Sequence, residues 1–149
     1  MSVTPRNIDG DKRVGITPGV GYTFPFDVNV NIGDNIGGPS AGLLMSLAIY
    51  DTLTPGSLTS GRDIAGTGTI TATGVVGPIG GIQQKIAASR DAGADLFLVP
   101  ADNCDGIGGV DPDGMRLAKV SSLAEARGIV EDWAVDPDIT LPTCEDTTS

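Results

Sequence analysis

Gly38-Pro39-Ser40-Ala41-Gly42-Leu43-Leu44-Met45-Ser46-Leu47-Ala48-Ile49-Tyr50 decides how this chain is read. Its first five residues follow Gly-x-Ser-x-Gly, a pattern that presents a nucleophilic serine where a tight turn feeds a helix. Leu43, Leu44, Leu47 and Ala48 recur at helical spacing, so a helix is expected over 41–53, stopped by Pro55-Gly56. Gly37, Gly38 and Gly42 flank the serine and let backbone approach a ligand. A helix starting here points N–H groups and the positive end of its dipole at the serine, which suits an oxyanion. The amides of Ser40 and Ala41 are the candidate donors. Two readings of Ser40 stand at this point: a nucleophile, or the N-cap of the helix that follows.

A serine nucleophile needs a base, and the chain contains no histidine, so a histidine-based triad is excluded. No serine is followed three residues later by lysine, which excludes the Ser-x-x-Lys arrangement of penicillin-binding enzymes. Lysine is the main remaining base, and there are three: Lys12, Lys85 and Lys119. A helix is expected over 82–92, stopped by Gly93, and it places Ile82, Lys85, Ile86 and Ser89 on one face. Lys85 thus lies on an apolar stripe, either desolvated or snorkelling from the stripe's edge. A lysine that works as a base near neutral pH must have its ordinary value of about 10.4 lowered to around 7–8, which desolvation favours.

Working outward, residues 22–32 alternate Phe24, Phe26, Val28 and Val30 with polar residues and predict a strand, at an edge because of Pro25. Residues 33–39 read as a glycine-rich loop, and 63–76 as strands with a hairpin. A short strand is expected over 96–99, closed by Pro100, then a loop over 101–114 and a strand over 115–120. The final helix is expected over 122–134, with Ser121 or Ser122 as N-cap and Glu125 completing a capping box. Asp9-Gly10 marks a turn near the start, and the acidic tail from 136 is expected to be poorly ordered. Strands interleaved with helices give an α/β (α+β) fold with mixed sheets and packed helices.

A chain of 149 residues is one domain with roughly two-thirds of its unfolded surface buried. It has no apolar run long enough to span a bilayer, and its first residues lack the basic start and apolar core of a signal peptide. A net charge of −10 argues against nucleic acid or an anionic membrane surface as partner. Cys104 and Cys144 fit no zinc spacing; they are free thiols in a reducing compartment or one disulfide, and their being the only two favours the disulfide. Asp102, Asp105, Asp111 and Asp113 crowd one loop without the spacing of a calcium site, so no metal is expected. Trp133 reads as a core anchor, Arg62 and Asp63 as residues shaping the start of a strand, and Asp34 as a solvated loop acid.

Three motifs in order, Gly38-Pro39-Ser40-Ala41-Gly42, Gly66-Thr67-Gly68-Thr69-Ile70-Thr71 and Gly77-Pro78-Ile79-Gly80-Gly81-Ile82-Gln83-Gln84-Lys85-Ile86-Ala87-Ala88, resemble the proteolytic domain of Lon proteases. The resemblance covers roughly 20–130 and implies that fold, with Ser40 and Lys85 as a Ser-Lys catalytic dyad. Thr67 matches the threonine of the family's Thr-Gly-Glu motif, which implies a hydroxyl near the lysine amine that helps orient it. Two positions depart from the ATP-driven members: Gly37 replaces an acidic residue, and Thr69 replaces the glutamate. There is no phosphate-binding Gly-x-x-x-x-Gly-Lys-[Ser/Thr] loop, so no ATPase and no cofactor is expected in this chain.

The stretch from Ile36 to Leu43, with Ser46 to Asp51, is more similar to ATP-independent Lon-like bacterial proteins carrying a membrane anchor and a PDZ domain. That resemblance implies residues 1–19 as a linker or the end of a PDZ-like domain, 20–135 as the peptidase domain and 136–149 as an acidic tail. It also implies an extracytoplasmic setting at a bacterial cell membrane, through an anchor outside this chain, which favours the Cys104–Cys144 disulfide. The expected activity is ATP-independent cleavage of polypeptides through an acyl-enzyme, with a hexameric ring as a family-level expectation. The alternatives are a catalytically weak scaffold or peptide-binding domain, and an esterase using the same pair.

Overall fold

A computed structural model of the chain describes residues 6–13, 25, 27 and 38–147. The strand expected over 22–32 and the positions of Asp34 and Gly37 lie outside the described residues, except for Pro25 and Asp27. Strands β1 (Arg6–Ile8) and β2 (Asp11–Arg13) form an antiparallel hairpin. Asp9 and Gly10 turn it with φ of 56° and 89°, the paired positive angles of a tight two-residue turn.

A 3₁₀ turn over Pro39–Ala41 leads into α1 (Gly42–Leu53). Strand β3 (Ile64–Gly66) follows, then an antiparallel pair of β4 (Thr69–Ile70) and β5 (Val76–Gly77). Helix α2 spans Ile82–Asp91, β6 Leu96–Pro100, β7 Arg116–Val120 and α3 Leu123–Val135. The central sheet is parallel, in the order β3-β6-β7, with Ile64 opposite Leu96 and Leu96 opposite Arg116. The mixed α/β arrangement agrees with the expected fold class, and the loop expected over 101–114 opens with a 3₁₀ turn over Ala101–Gly106.

Every residue of β6 is buried, because helices cover both faces of its sheet. The strand's period of two divides the core. Leu96 and Leu98 point to one side with Leu43, Leu47, Ala118, Val120, Ala126, Val130 and Trp133, the inner faces of α1 and α3. Phe97 and Val99 point to the other side with Ile82, Ile86 and Met115, under α2. The two helices that present the candidate residues therefore sit on opposite faces of one rigid strand. Trp133 is the core anchor its position suggested, and the Arg62 guanidinium lies 5.2 Å from its ring centroid.

The cap of α3 is settled in favour of Ser122, whose hydroxyl accepts from the Glu125 amide at 3.2 Å. Glu125 reaches one residue further back than a standard capping box, accepting from the Ser121 amide at 2.7 Å. The tail differs from expectation, since it is tied down through Cys144. Leu141 is buried, Arg116 donates to the carbonyls of Pro137 and Ile139, and the Lys119 amide donates to Pro142 at 2.8 Å. Composition hid this, because the anchoring is done by backbone carbonyls and one leucine in a polar run.

Candidate active site

Ser40 sits in the middle of the 3₁₀ turn, half-buried, one residue after Pro39 fixes the turn's first dihedral. Gly38 precedes it at φ 87°, a left-handed angle that suits glycine. The Ser40 side chain is not a cap. The residues at the cap positions of the 3₁₀ turn and of α1 are Gly38 and Ala41, and neither start has a side-chain cap bond. The hydroxyl is thereby left for other partners.

The backbone of Ser40 is held by the segment after β3. Its carbonyl oxygen accepts from the Gly68 amide at 2.8 Å and from the Thr67 hydroxyl at 2.9 Å. The Leu43 amide returns the contact by donating to the Gly68 carbonyl at 3.0 Å. Such reciprocal bonds need the two backbones close together. A Cβ on Gly68 would lie 2.8 Å from Val76 Cγ1, and one on Gly42 would lie 3.0 Å from Ile70 Cγ2. A side chain at the glycine that ends Gly-x-Ser-x-Gly would therefore press on Ile70, which would have to give way to admit it.

Lys85 comes from the other side of the sheet. Helix α2 starts after Gly81, a left-handed residue at φ 70°, whose carbonyl accepts from the Lys85 amide at 3.1 Å. Ile82 and Ile86 are buried, while Lys85 is half-buried at the margin of that stripe. Its Nζ lies 3.2 Å from Ser40 Oγ, within reach for proton transfer, across 45 residues of sequence.

The threonine departs from the arrangement the sequence implied. Thr67 is 2% exposed, and its hydroxyl donates to the Ser40 carbonyl rather than reaching the Lys85 amine. Its hydrogen bond fixes the serine's backbone. Of the amides at the start of α1, those of Gly42 and Leu43 are engaged by Pro39 and Gly68 carbonyls, so neither is the oxyanion donor.

Residues 29–131 match the family described as the Lon protease C-terminal proteolytic domain. The chain belongs to that family. It is 37% identical over 93 residues to the Lon protease of Phenylobacterium zucineum, covering 62% of this chain and 12% of that protein. It is 47% identical over 68 residues to the Lon protease of Campylobacter concisus, covering 46% of this chain and 8% of that protein. Against Lon protease 2 of Bacillus subtilis it is 31% identical over 114 residues, 75% of this chain and 20% of that protein. The Lon domain described here thus matches no more than a fifth of the length of these relatives.

Around this Lon domain's Ser40–Lys85 pair, two features escaped the sequence reading. In the sequence Gly68 is only one glycine of a motif, yet its amide clamps the serine. Asn103 falls in the stretch expected to be a loop, yet its side chain bonds both backbone groups of Ile79. No periodicity marks either residue. The aspartates of that loop do not converge on a cation: Asp111 accepts from the Asp113 amide, and Arg90 donates to the Asp111 carbonyl. Among the described residues no cluster has the makings of a metal site. Cys104 and Cys144 form a disulfide that joins this loop to the tail.

Proposed function

We propose that this domain is a serine endopeptidase acting on polypeptides through a Ser40–Lys85 dyad. The observation that carries the reading is the 3.2 Å approach of Lys85 Nζ to Ser40 Oγ in a chain without histidine. The neutral Lys85 amine accepts the Ser40 hydroxyl proton as Oγ bonds to the scissile carbonyl carbon. The amides of Ser40 and Ala41 stabilise the oxyanion, and Lys85 returns the proton to the leaving amine as the C–N bond breaks. Water then attacks the acyl carbonyl as Lys85 takes its proton, and Lys85 returns that proton to Ser40 Oγ as the ester C–O bond breaks. Thr67 supports the reaction by fixing the Ser40 backbone.

The finer reading is an ATP-independent, Lon-like peptidase on the extracytoplasmic side of a bacterial membrane, working in a larger PDZ-containing protein and assembling as a ring. Gly37 and Thr69 in place of the acidic residues support it, as does a disulfide suited to an oxidising compartment. No helix among the described residues is long and apolar enough to cross a membrane, so the anchor of this reading lies outside them. The net charge of −10 favours a polypeptide over nucleic acid as substrate.

The test is intact-mass spectrometry after incubation with a serine-reactive peptide phosphonate. An adduct on the wild type, absent from Ser40→Ala and strongly slowed in Lys85→Ala, is the expected result. An adduct that persists in Ser40→Ala would remove Ser40 as the nucleophile. No adduct on the folded wild type would leave the domain a peptide-binding scaffold.

A further inference from the structure

We propose that Asn103 is a positioning residue for Lys85. The proposal rests on the Ser40–Lys85 reading above. Between the end of β5 at Gly77 and the start of α2 at Ile82 lie Pro78, Ile79, Gly80 and Gly81. Two glycines in a row leave this joint without intrinsic stiffness. Besides the packing of Ile79 on the core, one side chain holds it by hydrogen bonds: the Ile79 amide donates to Asn103 Oδ1 at 2.9 Å, and Asn103 Nδ2 donates to the Ile79 carbonyl at 2.9 Å. Asn103 thus replaces a strand partner for a residue that has none. Of side chains this short, only asparagine offers one acceptor and one donor at that spacing.

Asn103 is itself well anchored. It sits in the 3₁₀ turn that follows directly from β6, the fully buried central strand. The next residue, Cys104, is bonded to Cys144. Ile79, Ile107, Val110 and Cys144 pack against the core cluster of Ile82, Ile86, Phe97, Val99 and Met115. A continuous set of contacts therefore runs from β6 through Asn103 and Ile79 to the first turn of α2, where Lys85 lies one turn beyond Gly81. Because the lysine amine must meet Oγ at hydrogen-bond distance, a displacement of about 1 Å at the start of α2 lowers turnover by roughly 10–100-fold.

The experiment uses Asn103→Asp and Asn103→Leu in the full chain. The aspartate keeps the acceptor for the Ile79 amide but sets a carboxylate against the Ile79 carbonyl; the leucine removes both bonds at similar volume. The chain has three lysines, so ¹³Cε-labelled lysine gives three NMR signals, assigned by Lys→Arg variants. We expect the Lys85 signal to move in both Asn103 variants while those of Lys12 and Lys119 stay, and the phosphonate labelling rate and kcat to fall about 10–100-fold with KM unchanged. If leucine prevents folding, the aspartate variant alone decides, with the Lys119 signal reporting that β7 is intact. An unmoved Lys85 signal and an unchanged labelling rate in folded Asn103 variants would overturn the positioning role. The dyad reading would stand in that case, provided Ser40→Ala still shifts the Lys85 signal. If Ser40→Ala leaves that signal in place and the wild type takes no phosphonate, the dyad reading fails and the Asn103 proposal falls with it.

Discussion

The hydroxyl of Thr67 donates to the backbone carbonyl of Ser40 at 2.9 Å, so the threonine controls where the serine sits. Thr67→Val keeps the shape and removes the donor. The Ser40 carbonyl retains the Gly68 amide, so the loss of stability is about 1 kcal/mol. Peptidase turnover falls by less than it does on losing Ser40 or Lys85, and Thr67→Ser restores most of it. Chemical denaturation and steady-state kinetics on the three proteins check this. Equal turnover in wild type and Thr67→Val would show that the clamp does not govern the reaction.

Ser40→Ala and Lys85→Met each remove one partner of a pair that acts as a unit. Each abolishes turnover by a factor on the order of 10⁴ or more, and the double variant is scarcely worse. Because Ser40 is half-buried and Lys85 lies at the margin of its stripe, neither change empties the core. The circular dichroism spectrum and thermal midpoint stay close to those of the wild type.

Gly68→Ala is the substitution that couples packing to the site. The new methyl carbon would stand 2.8 Å from Val76 Cγ1 and 3.3 Å from Leu43 Cβ, two side chains that are buried in the core. Overpacking of this kind costs about 1–3 kcal/mol. Since Gly68 also carries one of the two donors to the Ser40 carbonyl, phosphonate labelling slows as well. Wild-type stability in this variant would mean that the close approach relaxes freely.

Cys104→Ser/Cys144→Ser removes a cross-link spanning 40 residues, worth about 4 kcal/mol by the chain-entropy estimate. The same loss is expected on reduction of the wild type. Arg116 still holds the carbonyls of Pro137 and Ile139, and Leu141 is still buried, so the tail stays docked in the folded protein. Urea denaturation with and without reductant measures the difference. Limited proteolysis reads the tail: rapid trimming before residue 136 in the reduced protein would show that the disulfide alone retains it.

Sequence was informative wherever the physics is local. Period and punctuation located α1, α2, β6 and α3 to within a residue or two, because helix spacing, Pro100, Gly93 and the serine cap act within a few residues of chain. The motifs around Ser40 and Lys85, together with the lack of histidine, singled out the same two side chains that the fold brings to 3.2 Å. Tertiary structure decided what depends on partners distant in sequence. Thr67 faces the Ser40 carbonyl rather than the lysine amine, because β3 runs beside β6 and leaves its end against the 3₁₀ turn. The polar tail is fixed because Arg116 and the Lys119 amide on β7 offer donors that its carbonyls meet only after folding. Asn103 holds the joint before α2 because the turn after β6 ends up beside Ile79, a relation between residues 24 apart that no local pattern encodes.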